Sequence, residues 1–172
     1  MKKLKLYNIG FPFWIMMWLP GIWWILLIPL DYLLDYLVLF NSTGQLDNRK
    51  EFCRKHTWKI CLAGFASDLA GGLFMLAVLL LASQTVETLN QESLNAFNNF
   101  SSSLMFAPLH HPLALAVTVL GILIAAILIF LLDRRILQKA GLTAAFARRA
   151  ALRLAVVTAP YTFLIPLNLF FD

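Results

Sequence analysis

Asp31, Asp35 and Asp68 are the residues of this chain best placed to do chemistry, because each is a carboxylate set inside a long apolar run. A charge in hydrocarbon costs roughly a few to more than ten kcal/mol, so such acids face protein or water and often mark ion or proton pathways. Asp31 and Asp35 stand four apart, a spacing that puts both carboxylates on one face of a helix. Asp68 comes nine residues after Lys59, about 13 Å along a helix axis. Asp31 precedes Phe40 by the same nine residues. If the first apolar segment forms a hairpin, Asp31 and Asp68 reach a similar depth and can meet. Acids held together in a low dielectric cannot all ionise cheaply, so they share protons or a cation.

The elements that must position these acids follow from composition and charge. The chain is 60% hydrophobic and only 13% charged over 172 residues, against roughly 45–50% apolar and about 25% charged in soluble proteins. It reads as an all-α integral membrane protein forming a single bundle over residues 1–172. The apolar segments are Phe11 to Phe40, Ile60 to Ala82, Leu113 to Leu132 and Leu154 to Phe171. The last three have about the ~20 residues that span a hydrocarbon core. All fourteen Lys and Arg residues fall in three stretches, Lys2 to Lys5, Arg49 to Lys59 and Arg134 to Arg153. Short basic loops stay in the cytoplasm, so the three stretches share that side. The intervening residues 84–112, which carry Glu87 and Glu92 but no Lys or Arg, form an external loop.

The first apolar segment has basic stretches at both ends and 30 residues, more than one span needs and fewer than two require. Pro20 and Gly21 suit a reversal, since Pro lacks a backbone donor and Gly tolerates turn conformations. The expected architecture is therefore three transmembrane helices plus an N-terminal, Pro-Gly-broken re-entrant hairpin, with arms Phe11 to Leu19 and Ile22 to Phe40. Its alternative is four transmembrane helices, the first long, tilted or kinked. Trp14, Trp18, Trp23, Trp24 and Trp58 suit anchoring at the headgroup region or packing within the bundle.

Gly64, Asp68, Gly71 and Met75 share one helical stripe with Ser67 and Gly72 beside it, so Asp68 is expected to point into the bundle. Arg149 and Arg153 share a helical face at the cytoplasmic end of the last span and are candidate ion-pair partners for the acids. Pro160 and Pro166 remove the donors for the carbonyls of Val156 and Thr162, in a segment that also carries Thr158, Tyr161 and Asn168. Broken helices with free carbonyls form cation or substrate sites in many transporters, which adds Thr162 and Asn168 to the candidate site. Leu27 to Asp31 (LIPLD) and Leu164 to Asn168 (LIPLN) echo one another as a duplicated broken element. The third span shows only a small-residue stripe, Ala114, Thr118, Gly121 and Ala125, suited to packing within the chain or against itself or another membrane subunit.

Other classes are excluded or lack support. The basic residues flank apolar spans without a nucleic-acid-binding context, so no nucleic-acid partner is expected; the lipid bilayer is. The N-terminal run carries bulky Trp and Pro and no small-residue cleavage site, so it reads as retained rather than as a signal peptide. Cys53 and Cys61 read as reduced and structural. His110 and His111 have no nearby Cys or acid, and no metal or cofactor is assigned. Asn41 and Asn99 head glycosylation-type tripeptides to which no role is given. No phosphate-binding glycine loop, H-E-x-x-H or G-x-S-x-G occurs, and GFASDLAGG around Asp68 lacks the G-x-G-D form of intramembrane aspartyl proteases, so no enzyme is expected.

The opening KLYNIGFPFWIMMWLPGIWWILLIPLDYLLDYLVL, the WKICLAGFASDLAGG segment and the closing RRAALRLAVVTAPYTFLIPLNLF resemble a group of small uncharacterised multi-pass membrane proteins of Gram-positive anaerobic bacteria. The resemblance covers most of the chain and implies a bacterial cytoplasmic-membrane location, but supplies no site residues. With the N-terminus cytoplasmic and the C-terminus external, two functions of different class fit. In one the bundle moves a cation, proton or small solute, with Asp68 as the coupling carboxylate and Asp31 and Asp35 as partners. In the other it is a noncatalytic membrane subunit or scaffold whose acids only pair with Arg149 or Arg153.

Overall fold

The computed structural model describes residues 23–84 and 90–166, and among these all regular structure is helical. Helix α1 spans Trp23–Ser42. It is built of Leu, Ile and aromatic residues without an internal glycine, and it tolerates Pro29 in its second turn. From Trp23 onward it covers the return arm expected over Ile22 to Phe40 and runs two residues past it, to Ser42. The outgoing arm Phe11 to Leu19, the Pro20-Gly21 reversal, Trp14 and Trp18 lie outside the described residues.

Buried Thr43 closes α1. Its backbone N–H and its hydroxyl both donate to the Leu39 carbonyl, at 2.9 and 2.8 Å. The chain then reverses through Thr43–Asn48 into α2, Arg49–Gln84. The 36 residues of α2 make it about 54 Å long. The stretch Arg49 to Lys59, expected as a loop, is instead its first three turns. Those turns stay helical because Cys53, Thr57 and Ile60 are buried along one face while the basic side chains project outward.

The region expected as an external loop over residues 84–112 contains helix α3, Gln91–Phe106. Asn90 caps it, its side-chain oxygen accepting from the Ser93 N–H at 3.2 Å. A 3-10 turn over Pro108–His110 leads to α4, Pro112–Lys139, with proline at its first position where no donor is required. At the far end Gly141 takes φ 97°, and the N–H groups of Leu142 and Gly141 bond the carbonyls of Leu137 and Gln138 at 3.1 and 3.0 Å. That is a Schellman close, and it needs a residue that accepts positive φ.

Helix α5 covers Ala144–Val157 and corrects the expected span Leu154 to Phe171. Pro160 cannot continue a helix, so the chain breaks after Val157 into a short 3-10 turn, Tyr161–Leu164. The LIPLD and LIPLN echo is accordingly not a repeated element in its described part. Leu27 to Asp31 is helical and 164–166 is not.

Four helices close into a ring in which α2 packs on α4, α4 on α5, α5 on α1 and α1 on α2, leaving α1 and α4 opposite one another. Short connections make α1–α2 and α4–α5 antiparallel pairs. One core cluster joins Leu39, Cys53, Ile60, Leu137 and Ala147, and a second joins Met75, Leu104, Ala114, Ile122 and Phe163. The basic stretches Arg49 to Lys59 and Arg134 to Arg153 therefore converge on the end of the ring that holds the first cluster. Between the two clusters α2 and α4 meet at Gly71 and Gly121, where a methyl group on Gly71 would lie 2.7 Å from the Gly121 carbonyl oxygen. The stripes Gly71–Met75 and Ala114–Thr118–Gly121–Ala125 are thus used inside the chain.

The outside of the ring is apolar: Leu62, Leu73, Leu80, Leu120, Leu123 and Ile127 are all exposed. Among the described residues, α2 and α4 are long and apolar enough to cross a membrane.

Candidate functional site

The interior of the ring collects acids. Asp31 and Asp35, one turn apart on α1, both turn inward; Asp31 is half-buried and Asp35 is 2% exposed. Cys61 on α2 donates its thiol hydrogen to Asp31 Oδ2 at 3.5 Å. One donor atom from each of Asp31, Asp35 and Cys61 can be chosen so that all three lie within 4.8 Å of one another. From α5, the Thr158 side chain reaches Asp35. Its single hydroxyl proton is also claimed by the Leu154 carbonyl, 3.0 Å away.

Asp68 lies seven residues beyond Cys61 on the same face of α2. It is half-buried, its Oδ1 is enclosed without a hydrogen-bond partner, and it is within electrostatic range of both Asp31 and Asp35. The structure thus brings Asp31 and Asp35 together and places Asp68 within electrostatic range of both. The reason is the antiparallel α1–α2 pair, which sets Asp31 against Cys61 and Thr43 against Cys53, the latter pair 3.5 Å apart.

A fourth acid went unrecognised in the sequence. Asp133 on α4 is 0% exposed, neither of its carboxyl oxygens has a hydrogen-bond partner among the described residues, and it lies within electrostatic range of Asp35 across the ring. Asp133 lies one residue beyond the third apolar segment, Leu113 to Leu132, in which only a small-residue stripe was read. Asp133 abuts Arg134 and Arg135 and so reads as part of a basic flank, yet it extends the buried stripe Ala125, Ile129, Asp133, Leu137 at four-residue intervals. Extending the stripe past Leu132 was the signal that would have found it.

The other candidates fall elsewhere. Arg149 and Arg153 are exposed and line a cavity of about 240 Å³ with Asn41, Ser42 and Phe146 at the basic end of the ring. No Lys or Arg is among the charges acting on Asp31, Asp35, Asp68 or Asp133, among the described residues. Thr162 is exposed, and Asn168 lies outside the described residues. The carbonyls expected to be free are taken. The Tyr161 hydroxyl donates to Val156 O at 2.7 Å, and the Ile165 N–H to Thr162 O at 3.1 Å. The break at Pro160 thus satisfies these carbonyls itself, and Thr158 at its start is the residue there that reaches an acid.

The two cysteines, both free, differ in surroundings. Cys53 is a packing residue against Thr43, in keeping with the structural role expected of it. Cys61 belongs to the acid cluster, which the sequence reading did not foresee. His110 is exposed, and His111 packs edge-on against Phe100 with ring centroids 5.9 Å apart.

The arrangement suits one kind of chemistry. Four carboxylates in a helical interior, with no basic counter-charge acting on them among the described residues, suit the holding of protons or a cation. The chain matches no protein-family description, no curated protein and no solved structure.

Proposed function

We propose that this chain is a polytopic protein of the bacterial cytoplasmic membrane that moves a cation, a proton or a small solute coupled to one, using the carboxylates enclosed by its helical ring. Several features support a membrane setting. The outer face is covered with leucine and isoleucine, two helices have the length and apolarity of spans, and the two described basic stretches, Arg49 to Lys59 and Arg134 to Arg153, gather at one end, which would face the cytoplasm.

The observation that carries the functional reading is the pair Asp35 and Asp133. They come from helices on opposite sides of the ring, the charge of Asp35 acts on Asp133, and among the described residues no arginine or lysine acts on either. A fold that only needed structural order would fill such positions with leucine at lower cost, since buried ionisable groups left unpaired destabilise. Retaining them makes sense where their protonation or cation occupancy changes during a working cycle.

The alternative of a noncatalytic membrane subunit relied on Arg149 or Arg153 pairing with the acids, and both arginines lie at the surface of the basic end. The test is Asp68→Asn in sealed vesicles, with proton uptake followed by a trapped pH dye and sodium or potassium uptake by tracer. Transport predicts that the wild-type protein supports flux and that the variant, equally helical and monodisperse, does not. A scaffold predicts no flux from either.

A further inference from the structure

We propose that Asp31, Asp35, Cys61 and Asp133 bind a divalent transition cation of the zinc class inside the ring. This deepens the cation reading above and rests on it, because it names the ion that the carboxylates handle.

The argument begins with the donor set. Sodium, magnesium and calcium are hard ions that take oxygen ligands, and a thiol at their site is a poor donor. Zinc, cobalt and cadmium accept thiolate and carboxylate together. Cys61 stands directly among the acids, with its sulfur 3.5 Å from Asp31 Oδ2 and chosen donor atoms of Asp31, Asp35 and Cys61 within 4.8 Å of one another. In a tetrahedral zinc site, metal–ligand bonds near 2.0–2.3 Å place the ligand atoms about 3.4–3.8 Å apart. The observed triad needs only a contraction of roughly an ångström, within the reach of carboxylate rotation.

The second observation is Asp133. A wholly buried carboxylate whose oxygens both lack a partner among the described residues is expensive to keep, and a bound cation would satisfy it. It stands on the helix opposite α1, within electrostatic range of Asp35, and is the candidate fourth donor. On binding, the Cys61 thiol releases its proton to solvent and the thiolate takes the metal, so charge is exchanged rather than simply added. Asp68, two helical turns further along α2, is the next acid the ion would meet on leaving the site.

Cys53 provides an internal control, because its sulfur faces Thr43 rather than a carboxylate. The full-length protein in lipid nanodiscs is titrated with Co²⁺, then with Zn²⁺. The expected result is a near-ultraviolet thiolate-to-cobalt absorption band that Zn²⁺ bleaches, that is lost in Cys61→Ser and Cys61→Ala, and that persists in Cys53→Ser. Asp133→Asn is expected to weaken Zn²⁺ binding roughly tenfold or more, with helix content unchanged by circular dichroism. No band in the wild-type protein, or a band that follows Cys53, overturns the zinc-class assignment. If in that case Asp68-dependent proton or sodium flux still occurs in vesicles, the metal proposal alone falls. If no flux of any ion occurs either, the transport reading falls with it.

Discussion

Replacing Gly71 with alanine tests the close approach of α2 and α4 that holds Asp68 and Asp133 in one interior. A Cβ on Gly71 would stand 2.7 Å from the backbone oxygen of Gly121 and 3.3 Å from the Cβ of Ala125. Favourable contacts between carbon atoms lie near 3.5–4.0 Å, and the closest obstacle here is backbone, so α4 must recede by several tenths of an ångström. Overpacking of this kind costs about 1–3 kcal/mol. The higher helix propensity of alanine returns about 1 kcal/mol. Gly64→Ala on the same helix isolates the propensity gain, because nothing lies within 4 Å of its added methyl group. Gly121→Ala falls between the two, since its nearest neighbours are the movable Met75 Cγ and Sδ at 3.0 and 3.1 Å. The expected order of stability is Gly64→Ala, then Gly121→Ala, then Gly71→Ala, with about 1–3 kcal/mol between the extremes. At this chain length about 1 kcal/mol corresponds to 2–4 °C, so thermal unfolding in one detergent, followed by circular dichroism, separates them. A Gly71→Ala protein that melts at or above the Gly64→Ala protein would refute the close helix contact.

Two further substitutions probe the interior and the terminal break. Asp133→Leu removes a fully buried carboxylate with no partner, so it is expected to stabilise the metal-free protein by about 1–3 kcal/mol while abolishing flux; a lower melting temperature would mean that Asp133 serves packing or pairing instead. Tyr161→Phe deletes the hydroxyl that donates to Val156 O at 2.7 Å. With Pro160 unable to serve that carbonyl, the loss is expected to cost about 0.5–1.5 kcal/mol, and an unchanged melting curve would show that another donor replaces it.

Much of the site was legible because its determinants are local. The i, i+4 spacing of Asp31 and Asp35 and the small-residue stripe around Asp68 specify helix faces without reference to the rest of the chain, and the charge pattern calls for a reversal between them. Boundaries were less legible. Apolarity marks where lipid or core begins, whereas the N-terminal turns of α2 are helical through the burial of Cys53 and Thr57, so the basic stretch belongs to a helix and not to a loop. The last apolar segment misled for a related reason: hydropathy does not register that Pro160 ends α5, nor that Tyr161 satisfies the carbonyl left behind.

The amino-acid sequence alone determined the helical class, the apolar exterior, the common face of Asp31 and Asp35 and the inward face of Asp68, since these depend on composition and on periodicity within single helices. Only the tertiary structure decided which helices share an interior. Closing α1, α2, α4 and α5 into a ring brings Cys61 between two carboxylates, sets Asp133 opposite Asp35 and leaves Arg149 and Arg153 outside at the basic end. The physical reason is that electrostatic partnership depends on distances between residues remote in sequence, and those distances are set by which faces pack, here through the glycine contact between α2 and α4.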